Sequence, residues 1–402
     1  MPLSSSIERG IRMNQEQAAA GQLKLEAFIR RRIAEAGGIT FAEYMGHCLY
    51  HPEYGYYMAP RERIGKGGDF FTSSSVHSLF GRLVGRQFLQ MGELLGGDGF
   101  TVAEQGAGEG HLALDILDAL AEESPEFYRT LRYRLVEISP DNRDRQERLL
   151  AAHRERVEWC TLDELQGMEG CFLSNELVDA FPVHLVEKRD GALLEVFVVS
   201  EGDGFAEELR APSTPDIAGR FTGLGMELAE GNRAEVNLES TRWMRRVGGL
   251  LGRGFVLTID YGYPAAELYS PLRRSGTLLC YHRHRTSEDP LRNVGLQDIT
   301  AHVDFTSLQN SGEEAGLDSL YFGHQYQFLL GLGFVEGLLQ LQARETDEKR
   351  ARALRLTLKN LIMPDGGMGE TFKALVQGKG VGRPQLLCSR SIGDISLPAG
   401  MF

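Results

Sequence analysis

The sequence predicts an α/β fold, a doubly wound and mostly parallel sheet covered by helices on both faces. Three observations carry this. Short apolar runs alternate with segments of helical period between residues 100 and 260. The first run ends in a glycine-rich turn, Glu104-Gln105-Gly106-Ala107-Gly108-Glu109-Gly110, which opens a helix. Three later runs end in carboxylates, so acids collect at the edge where such sheets bind ligands.

Taken in order, Leu23, Leu25, Phe28, Ile29 and Ile33 stand at helical spacing, and Gly37-Gly38 stops that helix of residues 22–36. The next stretch, through LYHPEYGYY and RERIGKGGDFFTSSS, reads as an ordered loop region, followed by a helix over 79–95. Residues 100–104 form a strand and 112–121 a helix. Residues 133–137 form the second strand, and 142–154 a helix opened by Ser139-Pro140. Strands follow at 157–160, 170–175 and 255–260. Two late strands at 317–322 and 371–376, with a helix over 349–361 between them, bring the sheet to seven strands. The most apolar helix candidate is residues 328–341. Residues 183–199 read as an inserted β-hairpin around Asp190-Gly191, and 200–236 as an insertion rich in Gly, Pro and Glu. The expected division is an N-terminal helical and loop extension (1–78), a glycine-loop half (79–182), an inserted hairpin region (183–240) and a C-terminal half (241–402).

Of 402 residues, 42% are hydrophobic and 25% charged, an ordinary balance for a chain with a sizeable core. The net charge of -13 disfavours nucleic acid as a partner, since its phosphates need basic surface. Cys48, Cys160, Cys171, Cys280 and Cys388 lie far apart without a Cys-x-x-Cys pair, which fits a reducing compartment. His282 and His284 have no cysteine or carboxylate cluster beside them, so no metal is expected. No apolar segment is long enough to span a bilayer. The opening MPLSSSIERGIRMNQEQ lacks a signal-peptide apolar stretch, and its arginines alternate with Glu8 and Glu16, so a cytoplasmic location is expected.

Gly106, Gly108 and Gly110 let a ligand approach the backbone, with the amides of the helix start pointing at it. A dinucleotide site wants a third glycine where this chain has His111. Alternate glycines after an acid, Glu104, are the pattern of nucleoside-binding methyltransferases. Glu137 ends the second strand beside that turn, placed to accept hydrogen bonds from both hydroxyls of a ribose. The fourth strand runs into Ser174-Asn175-Glu176-Leu177-Val178-Asp179-Ala180-Phe181-Pro182, and the fifth into Asp260-Tyr261-Gly262.

With these motifs the chain resembles the MidA-type methyltransferases, a family with a seven-stranded, Rossmann-like methyltransferase sheet. The resemblance runs from about Gly38 to Gly378. It rests on Tyr50-His51-Pro52-Glu53-Tyr54-Gly55-Tyr56-Tyr57, on Gly68-Asp69-Phe70-Phe71-Thr72-Ser73, and on the glycine turn. It also rests on Asn175 to Pro182, on Asp260-Tyr261-Gly262, and on Asp298-Ile299-Thr300-Ala301-His302-Val303-Asp304-Phe305. Mitochondrial relatives in that family are complex I assembly factors that methylate an arginine of a core subunit. The resemblance therefore implies S-adenosylmethionine as cofactor, held by Gly106, Gly108 and Glu137, with Glu104, Gly110 and Asn175 beside them and Gly68-Asp69 closing over it. It implies a protein substrate with an exposed arginine, of which a complex I core subunit is one candidate. For such an acceptor, Glu176 and Asp179 are the expected grip on the guanidinium. His302 with Asp304 would orient it or take the proton after transfer. A small-molecule acceptor, or a cofactor-binding assembly factor with little catalysis, stays open as an alternative. The 183–199 hairpin is a candidate for pairing across a homodimer.

Overall fold

The computed structural model describes residues 3–60, 77–97, 99–363, 368–391 and 393, with side chains from residue 18 onward. The chain folds as two compact units, each gathered from three stretches. One comprises residues 71–179, 240–264 and 303–402; the other comprises 1–70, 180–239 and 265–302.

The first of these units holds the expected sheet. Its strands are β1 (Thr101–Gln105), β2 (Arg132–Val136), β3 (Val157–Trp159), β4 (Met168–Asn175), β5 (Leu251–Tyr263), β6 (Asp318–His324) and β7 (Phe372–Lys379). Their order is β6-β7-β5-β4-β1-β2-β3, with the two-residue strand Val303–Asp304 also pairing with β5. From β5 to β3 every pairing is parallel, whereas β7 runs antiparallel to both β5 and β6. Strands β4 and β5 are almost continuously buried, as parallel strands with both faces covered must be. Phe80, Leu83 and Phe88 of the Leu79–Leu95 helix and Leu112, Ile116 and Leu117 of the His111–Glu123 helix share a core with Val102, Leu135 and Phe255.

Two glycines set the spacing of the central strands. Gly170 and Gly254 have φ of +145° and +138°, a region that only glycine enters without strain. Thr101, Gly170 and Gly254 stand side by side across β1, β4 and β5. A Cβ on Gly170 would meet the Thr101 carbonyl oxygen at 1.9 Å, and one on Gly254 the Gly170 carbonyl oxygen at 2.0 Å.

In the other unit, the Leu3–Ala36 helix ends at Gly37, whose φ is +74°. Thr40 then caps the Phe41–Tyr50 helix through its Oγ1, which accepts from the Glu43 amide at 3.1 Å. An antiparallel sheet runs Ile39–Thr40, Ala192–Glu201, His184–Arg189, Arg233–Val236, with Gly204–Arg210 also pairing with Ala192–Glu201. The hairpin turn falls at Asp190-Gly191, both at positive φ, which a type I′ turn requires. Residues 279–300 add a small sheet of Arg285–Ser287, Leu279–His282 and Asp298–Thr300. The aromatic run packs here: Tyr56 is fully buried, the Tyr50 and Tyr57 rings stack at 5.6 Å, and Tyr57 Oη donates to Asp298 Oδ1 at 2.8 Å.

Some boundaries differ from those the sequence suggests. The first helix begins far upstream of residue 22. The apolar stretch 328–341 is two helices, Gln325–Gly331 and Phe334–Arg344, because Gly333 takes a left-handed conformation between them. Residues 200–236, read as an insertion, supply two strands and the Pro215–Gly223 helix to an ordered sheet.

Candidate active site

The ladders of the parallel sheet bring the predicted residues to neighbouring levels. Gln105 pairs with Val136 on one side and Ser174 on the other, and Asn175 pairs with Ile259. One residue further along, Gly106 and Glu137 follow the carboxyl ends of β1 and β2 at the level of Asn175, and Glu176 follows the end of β4 at the level of Asp260, which lies within β5.

Gly106, Gly108 and Gly110 have φ of +76°, +55° and +94°. That left-handed path folds the loop back before the His111–Glu123 helix, with the Gly110 amide donating to the Ala107 carbonyl at 2.9 Å. A Cβ on Gly106 would stand 2.7 Å from Leu177 Cδ1, so the turn after β4 lies directly on the glycine loop. Gln105, at the mouth of the loop, accepts the Trp243 indole N–H at 2.9 Å.

Glu104 lies beneath, 2% exposed, with Tyr133 Oη donating to Oε2 at 2.6 Å. Burial pushes its carboxyl up to about 7, against the pull of the Tyr133 bond, and the charge of Glu137 adds to the rise. Glu137 accepts the Ser139 amide at 2.7 Å on Oε1 and Gln146 Nε2 at 3.0 Å on Oε2. Its carboxyl is raised too, again chiefly by burial, with the Ser139 and Gln146 bonds opposing.

Beyond β4, Glu176 adopts φ +53°, a left-handed conformation rare outside glycine, with its amide donating to the Ile259 carbonyl at 2.9 Å. Asn175 Nδ2 donates to Glu176 Oε1 at 3.2 Å, while the buried Asn175 Oδ1 has no hydrogen-bond partner among the described residues. Asp260 is fully buried and acts as the anchor of this turn. Its Oδ2 accepts the amides of Leu177, Val178 and Asp179 at 3.2, 2.9 and 3.3 Å, and Oδ1 accepts the Tyr261 amide at 2.9 Å. Tyr261 Oη donates in turn to Asp179 Oδ2. Burial first, then the charges of Asp179 and Glu176, push the Asp260 carboxyl well above the usual carboxylate range.

The structure thus gathers Glu104, Gly106, Gly108, Gly110, Glu137, Asn175, Glu176 and Asp179 in one unit. His302 and Asp304 have different local partners. Asp304 caps the Phe305–Glu314 helix, its Oδ1 accepting the Ser307 amide at 3.0 Å, beside a close approach where a Cβ on Gly262 would meet the Val303 carbonyl oxygen at 2.2 Å. His302 belongs to the other unit, its amide donating to Thr277 Oγ1 at 3.0 Å. Gly68 and Asp69 lie outside the described residues. Two participants were not singled out from sequence. Gln146 sits in a polar helix without apolar periodicity, and Tyr261 had only its neighbour Asp260 to mark it.

Among the described residues no group of three or more His, Cys, Asp or Glu could hold a metal ion, and no helix is long and apolar enough to cross a membrane.

Residues 83–323 match the family described as "Putative S-adenosyl-L-methionine-dependent methyltransferase". A solved COG1565 superfamily member from Burkholderia thailandensis, bound to S-adenosyl-homocysteine, is similar over 92% of this chain and 96% of its own, with 33% identity and a TM-score of 0.83. The protein named "Protein arginine methyltransferase NDUFAF7 homolog, mitochondrial" is 29% identical in Drosophila melanogaster, over 75% of this chain and 72% of its own. Its namesake in Caenorhabditis elegans is 28% identical, over 87% and 85%. These relatives are named mitochondrial, which overturns the cytoplasmic expectation drawn from the N-terminus. The matched family, the solved neighbour with its bound product and the glycine loop agree: this chain belongs to that S-adenosyl-L-methionine-dependent methyltransferase family, with S-adenosylmethionine as its cofactor.

Proposed function

We propose that the chain methylates an arginine side chain of a protein, with a core subunit of respiratory complex I as the first substrate to try. The observation that carries this is the carboxylate cluster of Glu176 and Asp179 beyond the end of β4, with Asp260 in the last, turn-facing part of β5, against the glycine loop through Leu177. The repulsion that raises Asp260 is relieved when a cation enters, and a guanidinium stays charged while offering a planar fork to carboxylates. The left-handed backbone of Glu176 is the kind of local strain that persists where the surroundings fix a side chain for use. The names of the relatives point to the same acceptor.

The residues present fit the cofactor. Three alternate positive-φ glycines give a backbone turn bare of side chains at those positions, and the buried Asn175 Oδ1 at the same edge has no hydrogen-bond partner among the described residues. When bound, the cofactor supplies a methyl group on a sulfonium, already activated for in-line displacement. The chain's part is to hold, align and exclude water. In this reading Gly106, Gly108 and Gly110 seat the nucleoside, and the Glu137 carboxylate accepts hydrogen bonds from the ribose hydroxyls. Glu176 and Asp179 grip the guanidinium so that one nitrogen is aimed at the methyl group, and Asp260 with Tyr261 holds those two acids in place.

The test is incubation with methyl-labelled S-adenosylmethionine and arginine-bearing proteins, complex I core subunits among them, followed by mass spectrometric mapping of the label. Methyl-arginine in a product is expected. Glu176→Gln should still bind S-adenosylhomocysteine but lose transfer by about 100-fold or more. Label found only on small molecules, or full activity in Glu176→Gln, would overturn the arginine reading.

A further inference from the structure

The Pro140–Leu149 helix is unusual in what it buries. Its sequence, PDNRDRQERL, is almost wholly polar, and the two residues it turns inward are Asn142 and Gln146, one turn apart. Burying an amide is costly unless its polar atoms find partners, and those of Gln146 do. Gln146 is fully buried. Its Nε2 donates to the Gly108 carbonyl at 2.7 Å and to Glu137 Oε2 at 3.0 Å. Its Oε1 accepts the Trp159 indole N–H at 2.8 Å.

The orientation of this amide is decided by chemistry. An indole N–H only donates, so the oxygen must face Trp159, and the nitrogen then faces the two acceptors. The neighbouring Arg145 donates to Glu109 at 2.8 Å, so consecutive residues of the helix hold consecutive residues of the glycine loop. Room for the side chain comes from Gly110, where a Cβ would stand only 3.2 Å from Gln146 Cγ.

We infer that Gln146 is a positioning residue of the cofactor site: its amide fixes the glycine loop relative to the Glu137 carboxylate, and Trp159 locks that amide. The inference rests on the reading that Gly108 and Glu137 hold the cofactor. Binding a nucleoside at both places requires their separation to be set beforehand, because a loop free to move would have to be ordered on binding. The same N–H also opposes the upward push that burial exerts on the Glu137 carboxyl, keeping an acceptor there for hydroxyl donors.

The test is calorimetric titration of the full chain with S-adenosylhomocysteine. Gln146→Glu keeps the shape and the oxygen facing Trp159, but sets a second oxygen against Gly108 and Glu137. It should weaken binding by about 10- to 100-fold, the effect of losing hydrogen bonds to charged and buried acceptors. A buried carboxyl facing a carbonyl and a second carboxylate costs stability, so the variant's melting temperature should fall and binding is compared well below it. Its tryptophan emission should stay that of the wild type, since the Trp159 bond survives. Trp159→Phe frees the amide to turn and should weaken binding about 2- to 10-fold; it decides the matter alone if Gln146→Glu does not fold. Glu137→Ala serves as reference. Wild-type affinity in Gln146→Glu and Trp159→Phe, with binding lost in Glu137→Ala, overturns the role of Gln146. Undiminished binding in Glu137→Ala overturns instead the site reading on which that role rests.

Discussion

Replacing Glu104 by glutamine should make the sheet-bearing unit less sensitive to pH. Glu104 is 2% exposed, and its carboxyl titrates at about 7 rather than the ordinary 4.5, mainly because burial disfavours the charge. In the unfolded chain the group ionises near 4.5, while in the folded chain it holds its proton to about 7. Its contribution to stability is therefore full below 4.5, falls as pH rises through that window, and is gone above 7. At about 1.4 kcal/mol per pH unit, the gap between 4.5 and about 7 is worth about 3 kcal/mol. Glutamine has nearly the same shape and can still accept the Tyr133 hydroxyl proton, but it cannot ionise. The assay is urea unfolding at pH 5 and pH 8, followed by tryptophan fluorescence. Both tryptophans, Trp159 and Trp243, lie in that unit, so the signal reports on it. Between the two pH values the wild type should lose about 2–3 kcal/mol more than Glu104→Gln. Equal losses in the two proteins would refute the assignment of that titration to Glu104.

Three further outcomes are expected. Gly170→Ala forces a Cβ to 1.9 Å from the Thr101 carbonyl at a φ of +145°, which should cost about 3 kcal/mol or more in urea unfolding, or prevent soluble expression. Asp260→Ala strips the shared acceptor from three backbone amides. At about 1–3 kcal/mol for each hydrogen bond to a buried carboxyl, the melting temperature should fall by several degrees or more. Asp304→Ala should lower stability by about 1 kcal/mol through loss of a helix cap. Asp304→Asn, which still caps, should keep both stability and methyl transfer; loss of transfer alone would return a chemical role to that carboxylate.

Much of the sheet was legible because parallel strands buried on both faces leave short apolar runs, and Val102, Leu135 and Phe172 sit in such runs. The glycine turn and the acids after β2 and β4 could be placed because strand, turn, helix and strand follow one another without interruption. The strand Gly204–Arg210 was hidden because only Phe205 and Leu209 of it pack against the core, with two acids between them. Glu207 and Glu208 are solvated and pair with Arg233 and Arg210 instead. Gln146 was hidden for a related reason, since a helix that buries amides has no hydrophobic period to detect. Asp304 directly before Phe305-Thr306-Ser307 carries a helix-cap signal as well as a place in the motif.

The order of strands also bears on how the chain is made. β7, residues 372–379, lies in the sheet between β5 and β6, yet among the described residues it is made after every other strand of that sheet. Until it arrives, β5 and β6 each present an unpaired edge, and β5 carries eight ladder positions that only β7 fills. Synthesis at about 5–20 residues per second keeps those edges open for several seconds while the 55 or so residues from β6 to β7 emerge. Exposed, apolar strand edges of that kind invite pairing with other chains. A nascent chain stalled before residue 372 should therefore be held by chaperones or aggregate, and the protein's yield in cells should depend on how quickly β7 inserts.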